Sequence, residues 1–78
     1  MEQTIVVVDH VTERRVAEVR MPCPRVGDEI QVYAANEVYE VRRVRHLVEV
    51  VRGGREVEGR LIRTTAWVRK MEAEELAR

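Results

Sequence analysis

Few side chains in this sequence could carry out chemistry, and their spacing matches no common catalytic or metal-binding pattern. His10 and His46 are the two histidines, and neither has the neighbouring ligands of a zinc motif. The sequence contains no serine, and Thr4 lacks the N-terminal position that threonine nucleophiles use. Gly53 and Gly54 are expected to join two strands, so they do not form a phosphate-binding loop ahead of a helix. We therefore expect no catalysis, no metal, no cofactor and no small-molecule substrate.

Two chemically capable groups remain, and a structural role is favoured for each. Cys23 is the single cysteine and lies between two prolines, so it can form no internal disulfide. As a nucleophile it would need a nearby base or a helix N-terminus, and we expect an inert loop thiol. His46 shares an expected strand face with Val44 and Val48, which favours a hydrogen-bonded histidine of a barrel. Proton transfer by His46 would need a carboxylate within reach, such as Glu49.

The charge of the chain is zero overall but unevenly distributed. Residues 42–70 contain nine basic and three acidic side chains, a net charge of +6, whereas residues 1–41 carry −4. If the strands of this basic segment form one wall, a positive stripe would lie beside an aromatic ring, formed by Arg43, Arg45, Arg63, Arg69 and Trp67. Arginine forks grip phosphates and carboxylates, and an exposed indole can stack on a base or fill a partner's pocket.

A competing interpretation of the same residues is favoured over a ligand-binding stripe. Arginines on strands often pair with acids across the sheet, as Arg52 or Arg55 could with Glu56 or Glu58. Trp67 would then be packed under the C-terminal segment, against Met71 or Leu76.

The elements that position these residues are predicted to be strands. The chain has sixteen valines and no phenylalanine, and β-branched side chains pack well on a pleated sheet while losing rotamer freedom in a helix. Apolar runs and period-2 alternation predict strands over residues 4–9, 15–21, 29–34, 38–52 and about 56–70. For the second strand a short helix capped by Thr12 is the less favoured alternative.

Turn residues separate these strands. We expect a turn over residues 9–14, a loop over residues 21–28 with two prolines and Gly27, and a tight turn at Ala35 and Asn36. Gly53-Gly54 predicts a two-residue hairpin turn. The apolar positions change from odd to even numbers near Arg42 or Arg43, which predicts a β-bulge there, and Gly59 predicts a further bend or bulge. Residues 71–78 have helix-forming composition but are too few for a stable isolated helix.

Five or six short, bent strands in 78 residues predict an all-β, SH3-like small antiparallel barrel with a short C-terminal helix. The motif Pro24-Arg25-Val26-Gly27-Asp28, followed by Tyr39-Glu40-Val41-Arg42-Arg43-Val44-Arg45-His46, resembles a pattern in small uncharacterised bacterial and phage β-barrel proteins. The resemblance covers about residues 22–51. It implies that Gly27-Asp28 starts a barrel strand and that residues 39–46 cross the barrel over a bulge, and it implies no activity.

Length and composition bound the remaining questions. A chain of 78 residues is expected to form one domain, residues 1–78, without a second core. It has no apolar run of about 18 residues and no signal-like start, so we expect a cytoplasmic protein without membrane contact. Thirteen of the 14 basic residues are arginine, a bias that either a thermophile's ion-paired surface or GC-rich codons would produce.

The leading hypothesis from the sequence is a non-catalytic protein-interaction module. It would dock a protein partner, or a second copy of itself as a homo-oligomer, through an exposed strand edge or the Trp67 face. The alternative is a small barrel that binds nucleic acid through residues 42–70.

Overall fold

Five strands and one short helix make up the chain. A computed structural model describes residues 2–32, 36–53 and 56–76, and of residues 51, 52 and 56–58 it describes the backbone alone. The elements are β1 (Gln3–Asp9), β2 (Arg15–Met21), β3 (Glu29–Val32), β4 (Glu37–Gly53), β5 (Glu56–Lys70) and α1 (Ala73–Leu76). The strand predicted over residues 15–21 is confirmed, and the helix alternative for it is wrong.

The strands form one sheet in the order β2-β1-β5-β4-β3. The pair β1–β5 is parallel and the other three pairs are antiparallel. One face of the sheet carries the core, formed by Ile5, Val7, Tyr39, Val41, Ala66 and Val68. Because the sheet curls around these side chains, it has the shape of a half-barrel. The prediction of a small all-β, barrel-like domain with a short C-terminal helix is confirmed.

The β1–β2 turn is stabilised by Asp9. Its Oδ1 accepts hydrogen bonds from the backbone N–H groups of Val11 and Thr12, both at 2.9 Å. These two bonds are the largest causes that hold the pKa of Asp9 below its usual value. Glu13 has a positive φ of 59° in this turn, and its N–H donates to the Asp9 carbonyl. The predicted turn is confirmed.

The loop between β2 and β3 is fixed to the first part of β4, at Val41. Gly27 has a φ of 98°, a conformation that residues with a Cβ rarely adopt. Its N–H donates to the carbonyl of Val41, and the Val41 N–H donates to the carbonyl of Asp28. β3 therefore begins directly after this loop and pairs with β4 from Glu29 opposite Glu40. The tight turn predicted at Ala35-Asn36 lies partly outside the described residues; Asn36 has a φ of 52°.

Two bulges bend the long β4–β5 hairpin. The ladder skips Arg42 between Val41 and Arg43, which confirms the predicted bulge and keeps both Val41 and Val44 on the core side. The second bulge lies on β5, where Leu47 pairs with Arg63 and Val48 with Leu61, so Ile62 is the extra residue. A bend or bulge was expected at Gly59. A bulge there is ruled out, because Gly59 pairs regularly with Val50.

The far end of this hairpin extends beyond the other strands. β1 pairs with β5 only over residues 64–68, and β3 pairs with β4 only over residues 37–40. Residues 47–53 and 56–61, which we call the arm, therefore form a two-stranded ribbon within the described structure, whose longest dimension is 55 Å. The ladder continues to Gly53, which pairs with Glu56. A two-residue turn at Gly53-Gly54 would end the pairing of β4 at Arg52, so the predicted position of the turn is wrong by one residue. Gly54 itself is outside the described residues.

The described part of the chain contains no helix with the length and apolar character needed to cross a bilayer.

Candidate functional site

The main candidate site is the face of the sheet opposite the core, around Trp67. β4 and β5 place Arg43 directly opposite Trp67 and Arg45 opposite Thr65. The guanidinium of Arg43 lies over the indole at 4.0 Å from its centroid, and that of Arg45 lies at 5.1 Å. Cation–π contacts of this kind hold a planar guanidinium against an aromatic ring. The structure thus brings together three of the five residues singled out in the sequence.

A groove of about 410 Å³ lies beside this cluster. Its apolar lining comes from β1, β4 and β5 and includes Val6, Val8 and Leu47 next to Trp67. The charged groups around it are Arg15, Arg45, Arg63 and Glu13. Val6 is only 7% exposed, so this part of the lining is largely buried. We call this space the Trp67 groove.

Arg63 belongs to the Trp67 groove, and Arg69 does not. Arg69 is tied down by carboxylates, with its Nη2 at 2.7 Å from Glu75 and at 3.4 Å from Glu40. The hydrogen bond to Glu75, the largest cause, raises the pKa of Arg69 above its usual value. Its role is to connect β5 to the C-terminal helix, so the prediction that it is a ligand-binding residue is not supported by its position.

Trp67 lines the Trp67 groove and a second cavity with His10, Arg42 and Arg43, and neither lining includes a described residue after Trp67. Leu76 lines a different cavity, with Val38 and residues of β3. The predicted packing of Trp67 against Met71 or Leu76 is therefore not supported by these cavities. The predicted pairing of Arg52 or Arg55 with Glu56 or Glu58 lies outside the described side chains.

A second constellation joins Cys23 to His46, a contact that the sequence analysis did not predict. His46 Nδ1 lies 2.8 Å from the Oγ1 of Thr64, and His46 Nε2 lies 3.7 Å from Cys23 Sγ. Thr64 is fully buried, and its hydroxyl donates to Gln3 Oε1 at 3.1 Å. Since that hydroxyl accepts from the imidazole, Nδ1 carries the hydrogen and Nε2 has a free lone pair beside the sulfur, while the thiol donates to the carbonyl of Pro24 at 3.5 Å.

This arrangement gives Cys23 the neighbouring base that its sequence environment lacked. A thiol beside an imidazole lone pair can transfer its proton to the ring when the sulfur attacks an electrophile. The predicted hydrogen bonding of His46 is present, but its partner is Thr64, whereas Glu49 binds Arg60 at 2.8 Å. A correct strand register, inferred from the sequence, would have placed His46 opposite Thr64. No signal in the sequence indicates that Cys23 lies beside either residue.

The described residues contain no group of three or more His, Cys, Asp or Glu side chains that could hold a metal ion.

The pKa of Tyr39 is changed by a neighbouring carboxylate. The hydroxyl of Tyr39 donates a hydrogen bond to Glu37. This bond is the largest cause that raises the pKa of Tyr39 to about 12. The same bond, together with Lys70, lowers the pKa of Glu37.

Comparison of the chain with protein-family models, with curated proteins and with solved structures finds no match. The resemblance to small bacterial and phage barrels accordingly stays a prediction. The arm, the Trp67 groove and the Cys23–His46 contact are the three features of the described structure that could support a function.

Proposed function

We propose that this protein is a non-catalytic interaction module that associates with a second copy of itself through the arm. The observation that carries the proposal is the concentration of exposed apolar side chains there. Eight large hydrophobic residues of the described chain are exposed, and five of them lie on or next to the arm: Leu47, Val48, Val50, Leu61 and Ile62. Clusters of this kind on small soluble proteins mark contact surfaces.

Three of these side chains continue the core face of the sheet into solvent. Val44 packs against the core, and Val48 and Val50 follow it on the same side of β4. Leu61 lies directly opposite Val48 in the ladder and therefore shares this face. β1, β2 and β3 cover the core farther down but do not reach the arm. The apolar face thus lacks a covering layer within the described structure, and a second copy would supply one.

Gly59 allows the apolar side chains of this face to pack closely against β5. It lies opposite Val50, and a Cβ placed on it would come within 3.2 Å of Val48 Cγ1. Val48 therefore fills part of the space that a side chain at residue 59 would need. An isolated two-stranded ribbon is marginally stable in water, so covering this face would also stabilise the arm.

Charge favours a second copy over a charged partner. Residues 47–61, which include the arm, contain three arginines and three glutamates, so this segment of the chain has no net charge. One of these pairs, Arg60 with Glu49, is already neutralised within the arm at 2.8 Å. A two-fold axis brings identical surfaces together, and a neutral apolar surface with balanced charges is complementary to itself. Seven residues of strand span about 23 Å, so we expect a modest, concentration-dependent dimer.

Sedimentation velocity over a range of protein concentrations tests this proposal. We expect the wild-type mass to rise from monomer to dimer with concentration and Val50→Glu to remain monomeric, because a dimer would bury two unpaired carboxylates. Val26→Glu is the matched control, since Val26 is 67% exposed on the β2–β3 loop, outside the arm. A wild-type protein that stays monomeric at its highest soluble concentration would refute the proposal, as would equal loss of the dimer in both variants.

A further inference from the structure

Beyond self-association, we propose that the Trp67 groove binds single-stranded nucleic acid. In this groove the phosphates contact Arg45 and Arg63, and a base packs on the apolar lining beside Trp67. The inference rests on different residues from the proposed dimer face: Leu47 is the one arm residue that lines the groove, whereas the dimer face is formed by Val48, Val50 and Leu61.

Three arginines near Trp67 have donors that no carboxylate engages. In the described part of the chain, the salt bridges of arginine involve Arg15, Arg42, Arg60 and Arg69, whereas none involves Arg43, Arg45 or Arg63. Arg43 and Arg45 contact the indole instead of a carboxylate. A guanidinium that lies over a ring keeps its N–H edge available, and that fork matches two oxygens of a phosphate.

The charge around the groove is mainly positive. Three arginines and a single acidic residue, Glu13, line it, and Arg15 lies 3.9 Å from Glu18 through an exposed and therefore weak pair. The second cavity that Trp67 lines is bordered by Arg42, Arg43 and His10 together with the same Glu13. The positive potential is thus local to one face, although the whole chain carries no net charge. A local patch of this kind attracts phosphates at short range.

The composition of the groove favours nucleic acid over an acidic peptide. Val6, Val8 and Trp67 line the groove together with arginines. A nucleotide presents a flat apolar face next to an anion, which matches this combination of apolar and positively charged side chains. An acidic side chain presents its charge without a flat group. Aromatic platforms within positive grooves are the usual means of binding single strands without sequence preference.

The fluorescence of Trp67 provides a direct test, because it is the only tryptophan of the chain. The probe is a short uridine oligonucleotide titrated at low ionic strength. We expect the indole fluorescence to be quenched on binding and the affinity to fall as salt increases. With two phosphates held by Arg45 and Arg63, the slope of log affinity against log salt should be about −1.4.

Variants separate the groove from general electrostatic attraction. We expect Arg63→Glu to weaken binding at least tenfold and Arg20→Glu, an equal charge change on β2 outside the groove lining, to weaken it about twofold or less. Equal effects of the two variants would overturn the proposal. So would tighter binding of a glutamate oligomer of the same charge than of the oligonucleotide, or an unquenched indole at low salt. Val50→Glu should bind as the wild type does, which keeps this test separate from that of the dimer.

Discussion

Both terminal nitrogens of Arg69 contact the carboxylate of Glu75, with Nη1 to Oε1 at 2.8 Å and Nη2 to Oε2 at 2.7 Å. This bidentate contact joins the end of β5 to the four-residue helix α1, which is too short to be stable by itself. The same guanidinium reaches Glu40 on β4 at 3.4 Å. The C-terminal helix is therefore positioned by one charged side chain of the sheet.

Replacing Arg69 should release this helix without unfolding the sheet. We expect Arg69→Gln to increase amide hydrogen exchange over residues 72–76, because the carboxylate of Glu75 loses its bidentate partner. Arg60→Gln is the control, since Arg60 also has an ion pair but its side chain is 79% exposed on the arm. Unchanged exchange over residues 72–76 in Arg69→Gln would show that other contacts position the helix.

The bulge at Arg42 should bend β4 without being needed for its register. Deleting Arg42 would leave Val41 opposite Val68 and Arg43 opposite Trp67 in a ladder without the bulge, so Val44 would still face the core. We expect the deletion variant to keep cooperative thermal unfolding, monitored by circular dichroism, because its buried face is preserved. Arg42→Ala keeps the bulge and loses one exposed ion pair with Glu40, so its stability should change by about 0.5 kcal/mol or less. A deletion variant that loses cooperative unfolding would contradict the register.

The hydroxyl of Thr64 should fix the tautomer of His46. In the wild-type protein we expect nitrogen-15 NMR to show neutral His46 with its hydrogen on Nδ1, since Thr64 accepts from that atom. Thr64→Val should remove this preference and destabilise the fold by about 1 kcal/mol, because His46 and Gln3 can both turn to water. Thr64→Ser retains the hydroxyl and should retain the tautomer. A wild-type His46 with its hydrogen on Nε2 would be incompatible with this network.

Tyr39 should make the fold sensitive to alkali. The pKa of Tyr39 is about 12 in the folded chain, above the ordinary value of 10.0. A raised pKa in the folded state stabilises the protein fully below pH 10 and loses this contribution as the pH rises toward 12. We expect the melting temperature to fall across this window and the fall to be smaller in Tyr39→Phe. Ultraviolet titration of Tyr39 in a Tyr33→Phe background checks the pKa itself, and ionisation near 10 would contradict the assignment.

Asp9 and Glu37 should make the fold sensitive to acid. Both carboxyls have a lower pKa in the folded chain than their ordinary values of 3.8 and 4.5. Such groups stabilise the protein above those values, and the contribution is lost as the pH falls through the lowered pKa. We expect the melting temperature to decline below about pH 4.5, with Asp9→Asn showing a shallower decline because its side chain does not titrate. An unchanged pH profile in Asp9→Asn would contradict the role of the β1–β2 turn.

The local pattern of the sequence determines most of the fold. Residues of alternating polarity, valine-rich runs and turn residues predicted all five strands, and the change from odd to even apolar positions near Arg42 predicted its bulge. These signals succeed because the side chains of a strand alternate between two faces, so a buried face appears in the sequence with period 2. The bulge at Ile62 escaped prediction because Gly59 offered a more evident local signal.

Only the tertiary structure decided which side chains meet, since those contacts join positions far apart in the chain. Gln3 and Thr64 are 61 residues apart, and Cys23 and His46 are 23 apart. Composition alone could not show that Arg69 pairs with Glu75 while Arg45 lies on Trp67, because both are arginines of the same basic segment. Strand register and the sheet order β2-β1-β5-β4-β3 decide which arginine meets a carboxylate and which meets the indole. They also leave the arm with an apolar face that no other described strand covers.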